Sequence, residues 1–258
     1  MQAEAPAIML SDAAELVRRA AALIFDVDGT LAETEELHRQ AFNHAFACQG
    51  LDWQWDRAVY KDLLRVTGGK ERIRAHHERL RIAAPLSDVD IAELHRIKTA
   101  HYAELVETGC CPLRPGVADL LVAAKARGQR LAIATTTSHG NIDALLSRAL
   151  GKRWAADFDA IVAGDDVRLK KPAPDVYRVA LDKLQLPAAY CVAFEDSFIG
   201  LQAAKAVGLF TVVTPTCWTQ RDNLSAADWL LPNLCDLCRL DELHSRHAKG
   251  ALKALEAA

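Results

Sequence analysis

The sequence predicts an α/β fold: a doubly wound parallel sheet with a small, all-helical cap domain inserted after the first strand. Three observations carry this expectation. Short apolar runs recur without polar alternation, as strands covered on both faces do. Amphipathic segments of helix length separate these runs. The alternation then lapses from about Thr34 to Leu113, where only helical patterns occur.

Taken in order, the stretch before Ala21 has acids ahead of its basic pair and no apolar run of the secretory type. It is expected to be a surface helix or partly disordered. "ALIFDV" (22–27) is the first strand, and "RLAIAT" (130–135), "AIVAG" (160–164), "YCVAFE" (190–195), "FTVVT" (210–214) and "DWLL" (228–231) follow. The intervening helices are expected at 116–128, 141–150, 174–186 and 200–208, each with a Gly or Pro at one end. Four further helical patterns fill the long gap: "EELHRQAFNHAFACQG", "DRAVYKDLLRV", "KERIRAHHERL" and "DVDIAELHRIKTAHYAELVE". Residues 1–33 and 114–258 are thus expected to form the catalytic core and 34–113 the cap. Hinges are expected near Ala32 to Thr34 and Cys110 to Pro115, where "CCPLRPG" carries both Pro and Gly.

The chain of 258 residues carries 31 basic and 34 acidic side chains, a net charge of −3. No general attraction to nucleic acid or an anionic membrane is expected, so any phosphate binding is local. No apolar run is long enough to cross a bilayer, and a cytoplasmic monomer is expected. Seven cysteines, an odd number, point to reduced thiols. Cys235 and Cys238 form a C-x-x-C without a second ligand pair, and read as small apolar side chains on a late helix rather than a zinc or redox motif.

The chemistry concentrates where strands end. Asp26 and Asp28 lie two apart in "DVDGT", so both side chains project to one side at the carboxyl end of a parallel strand, where open α/β sheets bind ligands. Alone, the motif is also compatible with a capping turn. "AFEDSFIG" adds Glu195 and Asp196 at the end of another strand. Four converging acids cost too much without a cation, and a hard divalent ion with oxygen ligands, Mg²⁺ where phosphate is bound, answers that cost. Thr135, Thr136 and Thr137 offer hydroxyl donors after a third strand. "LKKPAPDVY" brings Lys170 and Lys171, of which Lys171, directly before Pro172, is the functional candidate; Lys170 reads equally as a solvated side chain. A carboxylate nucleophile, a metal cradle, hydroxyls and a lysine suit phosphoryl transfer.

In order and spacing, "DVDGT", "ATTT", "KKPAPD" and "EDS" resemble the haloacid-dehalogenase-like superfamily, from Ala21 to about Leu231, and the helical insertion resembles that of its members with a helical cap on a Rossmann-like core. The resemblance implies that Asp26 is the nucleophile forming an aspartyl phosphate. Asp28 would be the general acid and base, Thr135 would hold the phosphoryl group and Lys171 would neutralise charge. Asp26, Asp28 through its carbonyl, Glu195 and Asp196 would hold Mg²⁺. An acid at Asp28 separates this sequence from the carbon–halogen-cleaving members.

In the cap, "VTGGKERI" sets Gly68, Gly69 and Lys70 at a helix start, either an anion cradle or an ordinary turn. Glu33 and His38, at the cap's entry, are placed for hydrogen bonds to sugar hydroxyls, whereas His44, His76 and His77 read as helix-surface residues. Together with "ATTTS", these segments resemble the CbbY branch of the superfamily. That likeness implies a phosphatase for a small phosphorylated sugar, xylulose 1,5-bisphosphate, an inhibitory by-product of the carbon-fixing enzyme Rubisco in the Calvin cycle. Glu33, His38, Gly69, Lys70 and Thr136 would bind the substrate. A β-phosphoglucomutase, similar in fold and nucleophile, is the nearest alternative, and no residue separates the two.

Overall fold

The computed structural model describes residues 7–81, 86–109 and 111–237. Six parallel strands form one sheet: β1 (Ala22–Phe25), β2 (Arg130–Ala134), β3 (Ala160–Val162), β4 (Cys191–Glu195), β5 (Phe210–Val213) and β6 (Trp229–Leu230), in the order β3-β2-β1-β4-β5-β6. Every strand expected from the sequence is present. β1 ends at Phe25, two residues before the expected boundary, although Asp26 N–H still donates to Phe194 O of β4 at 3.0 Å, and the turn follows at Gly29 and Thr30.

Alternate residues of each strand enter opposite cores. Leu23, Phe25, Leu131, Ile133, Val192 and Phe194 face one side and Ala22, Ile24, Ala132, Ala134 and Ala193 the other. The first side is covered by α1 (Ala7–Arg19), α6 (Val117–Ala126) and α7 (His139–Leu150). The second is covered by α8 (Asp175–Leu184) and α9 (Phe198–Lys205). This explains the absence of polar alternation, since both faces of the central strands β1, β2 and β4 are covered. α1 is tied into the core through Ala13, Ala14 and Val17, so the described part of the N-terminal segment packs as a helix.

Between β1 and α6 run α2 (Glu35–Cys48), α3 (Arg57–Leu63), α4 (Gly69–Leu80) and α5 (Asp88–Thr108). They share a separate apolar cluster built on Phe42, Phe46, Trp55, Tyr60, Ile73 and Leu94. His76 and His77 are not simply on the surface: Trp53 and Trp55 lie edge-on to His76 at 5.1 and 5.3 Å. The two connections to this helical segment lie side by side, with Ala32 bridging Leu113 and Arg114 N–H donating to Leu31 O at 2.8 Å. Cys110, part of the expected second hinge, and Cys238, of the C-x-x-C, lie outside the described residues.

Candidate active site

The strand order reverses direction between β1 and β4, and in open α/β sheets the crevice at the carboxyl ends beside such a switch point is where ligands bind. A cavity of about 820 Å³ opens there, between the sheet and the helical segment. Asp26, Asp28, Thr135, Thr136, Lys171, Glu195 and Asp196 all line it, although they come from four separate stretches of chain.

Lys171 joins two of the acids. Its Nζ lies 2.7 Å from Asp26 Oδ1 and 2.7 Å from Glu195 Oε1, and all three side chains are buried. Tyr177, on α8, donates its hydroxyl to the same Glu195 oxygen at 2.5 Å. Burial alone would depress the Lys171 amine, yet the paired carboxylates hold it up at about 12. It stays charged. For Asp26, burial raises the carboxyl while Lys171 pulls it down.

Asp196 has less support. Thr219 donates to its Oδ2 at 3.2 Å, and no lysine or arginine among the described residues pairs with it. Burial, then the charges of Asp26 and Glu195, push its carboxyl well above the usual carboxylate range. Asp26, Glu195 and Asp196 bring oxygen atoms within 4.8 Å of one another. A buried, all-oxygen cluster with one acid left without a cation fits a hard divalent ion such as Mg²⁺. Gly29 makes room for it: its φ of 82° is left-handed, and a side chain there would run into the Asp196 carboxylate.

Asp28 sits in a second network. Its Oδ1 accepts from Thr34 Oγ1 at 2.6 Å and lies 2.9 Å from His38 Nε2. His38 Nδ1 in turn lies 2.7 Å from Lys98 Nζ, and the ring stacks on Tyr102 with centroids 4.2 Å apart. Burial would raise Asp28, but His38 and Thr34 outweigh it and hold the carboxyl below its ordinary range. Burial and the Lys98 charge depress His38. Lys98 is itself lowered to about 7 by burial, partly opposed by Asp28. With Lys98 donating to Nδ1, the neutral ring carries its proton on Nε2 and gives it to Asp28.

The remaining expected positions divide. His38 and Gly69 line the cavity. Glu33 and Lys70 stand outside the lining: Glu33 pairs with Arg114 at 3.3 Å beside the connections to the helical segment, and Lys70 lies 3.8 Å from Asp165. Lys170 also links the two parts, 3.4 Å from Glu71 and 3.1 Å from Gly164 O. Sequence reasoning passed over Thr34, His95, Lys98, Asn141 and Tyr177. A signal existed for Lys98, which interrupts the buried stripe Ile91, Leu94, Tyr102 and Val106 of α5 at helical spacing. A lysine there needs a partner. Asn141 is buried at the start of α7 and donates to Thr137 Oγ1 at 2.9 Å, while its Oδ1 has no hydrogen-bond partner among the described residues.

A strand-ordered cluster of this kind defines a hydrolase of known family. The chain belongs to the haloacid dehalogenase-like hydrolases, whose family model matches residues 20–208. Within that family it is similar to CbbY of Rhodobacter capsulatus, 56% identical over 213 residues, covering 83% of this chain and 93% of that protein. A crystal structure of CbbY from Rhodobacter sphaeroides in complex with xylulose 1,5-bisphosphate matches at a TM-score of 0.80 and 49% identity, over 84% of this chain and 95% of that one. A β-phosphoglucomutase from Clostridium difficile shares the fold at 19% identity and a TM-score of 0.72, over 90% of this chain and 99% of that one.

Proposed function

We propose that this hydrolase is a Mg²⁺-dependent phosphatase that removes a phosphate from a sugar bisphosphate, xylulose 1,5-bisphosphate, through an aspartyl phosphate on Asp26. The observation that carries the reading is the meeting of Asp26, Asp28 and Lys171 in one cavity with Asp196, which has no lysine or arginine partner among the described residues. The identity to CbbY, one crystal structure of which holds this bisphosphate, supports the choice of substrate.

Asp26 presents one carboxylate oxygen to Lys171, leaving the other to attack phosphorus. Lys171 offsets the charge that gathers between the nucleophile and the phosphoryl oxygens. Thr135 and Thr136, at the end of β2 and just ahead of α7, supply donors to those oxygens. Asp26, Asp196, Glu195 and the carbonyl of Asp28 would hold Mg²⁺, which when bound neutralises phosphate charge. Glu195 gives Oε1 to Lys171 and Tyr177, and its Oε2 accepts from Asp196 N–H at 3.3 Å.

Asp28 rests ionised and suits the base half of the cycle, taking a proton from the water that opens the aspartyl phosphate. The acid half requires a proton on Asp28 when the sugar oxygen departs, and His38 with Lys98 behind it forms a path to supply one. The helices α2–α5 act as the cap, closing over the substrate and excluding water. Glu33, His38, Gly69, Lys70 and Thr136 contribute to substrate binding, with Glu33 and Lys70 reaching it on movement at the hinge and rim.

The reading is tested by incubating the protein and Mg²⁺ with xylulose 1,5-bisphosphate and, separately, β-glucose 1-phosphate. Free phosphate from the first and none from the second is expected. Glucose 6-phosphate appearing from the second identifies a mutase and overturns the reading.

A further inference from the structure

Trp218 belongs to the connection between β5 and β6, yet its indole is part of the apolar cluster of the helical segment. Only 6% of it is exposed. Tyr60 of α3 meets the ring edge-on with centroids 5.6 Å apart, and Arg57 of the same helix sets its Cζ 4.8 Å over the ring. An aromatic ring held by an edge contact and a cation has a strongly preferred position.

The residues on either side carry that position to the acid cluster. Thr216 N–H donates to Thr219 Oγ1 at 2.9 Å, and Trp218 N–H donates to Thr216 Oγ1 at 3.1 Å. The two hydroxyl oxygens lie 3.2 Å apart, and Thr219 Oγ1 donates to Asp196 Oδ2 at 3.2 Å. A hydroxyl has a single proton. Because Thr219 already accepts from the Thr216 amide, its proton is left for the carboxylate. The Trp218 amide fills a lone pair of Thr216 Oγ1 and leaves that hydroxyl's proton for Thr219. Both threonines are buried, so the donor reaches Asp196 already oriented.

The connection is anchored on both sides of this turn. Arg114 donates to Thr214 O at 2.6 Å and to Pro215 O at 3.2 Å, and Asp222 Oδ2 accepts from Phe198 N–H at 3.0 Å. Between these anchors Trp218 is the one large apolar side chain. Its seat against α3 therefore fixes where the Thr219 hydroxyl points.

We propose that Trp218 is a positioning residue for Asp196: its contact with the helical segment holds the Thr219 hydroxyl on that carboxylate, so the affinity of the acid cluster for Mg²⁺ depends on a contact made outside the sheet. This rests on the Mg²⁺-dependent reading of the site. Without the ring the turn is free to shift, the hydroxyl leaves Asp196, and the carboxylate meets the cation less well oriented.

The test is a calorimetric titration of Mg²⁺ into the substrate-free protein, comparing the parent with Trp218→Leu, Trp218→Phe, Thr219→Val and the double variant Trp218→Leu/Thr219→Val. Thr219→Val keeps the shape of the side chain and removes the hydroxyl. Thr219→Val and Trp218→Leu are each expected to weaken Kd about tenfold, with Trp218→Phe recovering part of the loss. Because both changes act through one hydrogen bond, the double variant is expected to be weaker by about tenfold, whereas independent effects would multiply to about a hundredfold. Trp218→Phe carries the same comparison should Trp218→Leu not fold: a partial loss that Thr219→Val does not compound. An affinity unchanged in the Trp218 variants, or losses that multiply in the double variant, overturns the proposal. A parent that binds no Mg²⁺ contradicts the underlying reading itself, whereas a parent that binds it with the Trp218 variants unchanged contradicts this proposal alone.

Discussion

His38 Nδ1 and Lys98 Nζ lie 2.7 Å apart, both buried, and join α2 to α5 directly behind Asp28. The pair is costly to bury, so its position behind a site acid is informative. Lys98 selects the ring tautomer, the ring orients Asp28, and Thr34 holds the same carboxylate oxygen.

Removing either member should therefore impair proton transfer more than binding. For Lys98→Met, kcat is expected to fall on the order of tenfold to a hundredfold with KM changed little, and for His38→Ala the same fall in kcat is expected with a smaller rise in KM from the lost substrate contact. Steady-state kinetics on xylulose 1,5-bisphosphate reads this directly. A rise in KM at constant kcat would assign both residues to binding alone.

Lys98 also makes stability depend on pH. Its folded pKa is lowered to about 7, whereas an unfolded lysine titrates near ~10.4. Below pH ~7 both states carry the charge and the fold bears the full cost of burying it. Between ~7 and ~10 the unfolded chain binds more protons, so the stability of the parent rises with pH. The Tm of the parent relative to Lys98→Met is accordingly expected to increase by a few degrees from pH ~7 to ~9.5. A constant difference across that range would contradict the buried amine.

Lys171→Met leaves Asp26 and Glu195 buried beside each other without their cation. A loss of roughly 3–5 kcal/mol is expected for such a broken pair, together with loss of activity. Adding Glu195→Gln removes one of the stranded charges, so thermal melts should show partial recovery of Tm while activity stays lost. Recovery of activity in the double variant would show that Lys171 serves the fold alone.

Gly29→Ala combines a left-handed φ with a side chain directed at Asp196. It should cost roughly 1 kcal/mol or more. Displacing Asp196 should raise the Mg²⁺ concentration needed for half-maximal activity about tenfold or more. An unaltered Mg²⁺ titration would separate Asp196 from metal binding.

How much of this was legible follows from where each interaction lies in sequence. The six strands show as apolar runs because both sheet faces are covered, and the acids, threonines and Lys171 stand just past those runs. Such local signals survive without coordinates. His95, Asn141 and Tyr177 were missed because their meaning depends on which helix faces the cavity. Lys98 meets His38 across 60 residues, a pairing that no local spacing encodes. Glu33 stands just past the first motif and Lys70 beside the glycines at the start of α4, local signals that do not encode their pairing with Arg114 and Asp165 from distant stretches of chain.

A nucleophilic Asp26 makes its carboxylate charge indispensable to hydrolysis of xylulose 1,5-bisphosphate. The most direct measurement is phosphate release from that compound with Mg²⁺ by the parent and by Asp26→Asn, a substitution close in size that removes the attacking charge. The parent should release phosphate steadily, and the variant should be slower by on the order of a thousandfold or more. Release by Asp26→Asn at the rate of the parent would contradict the account.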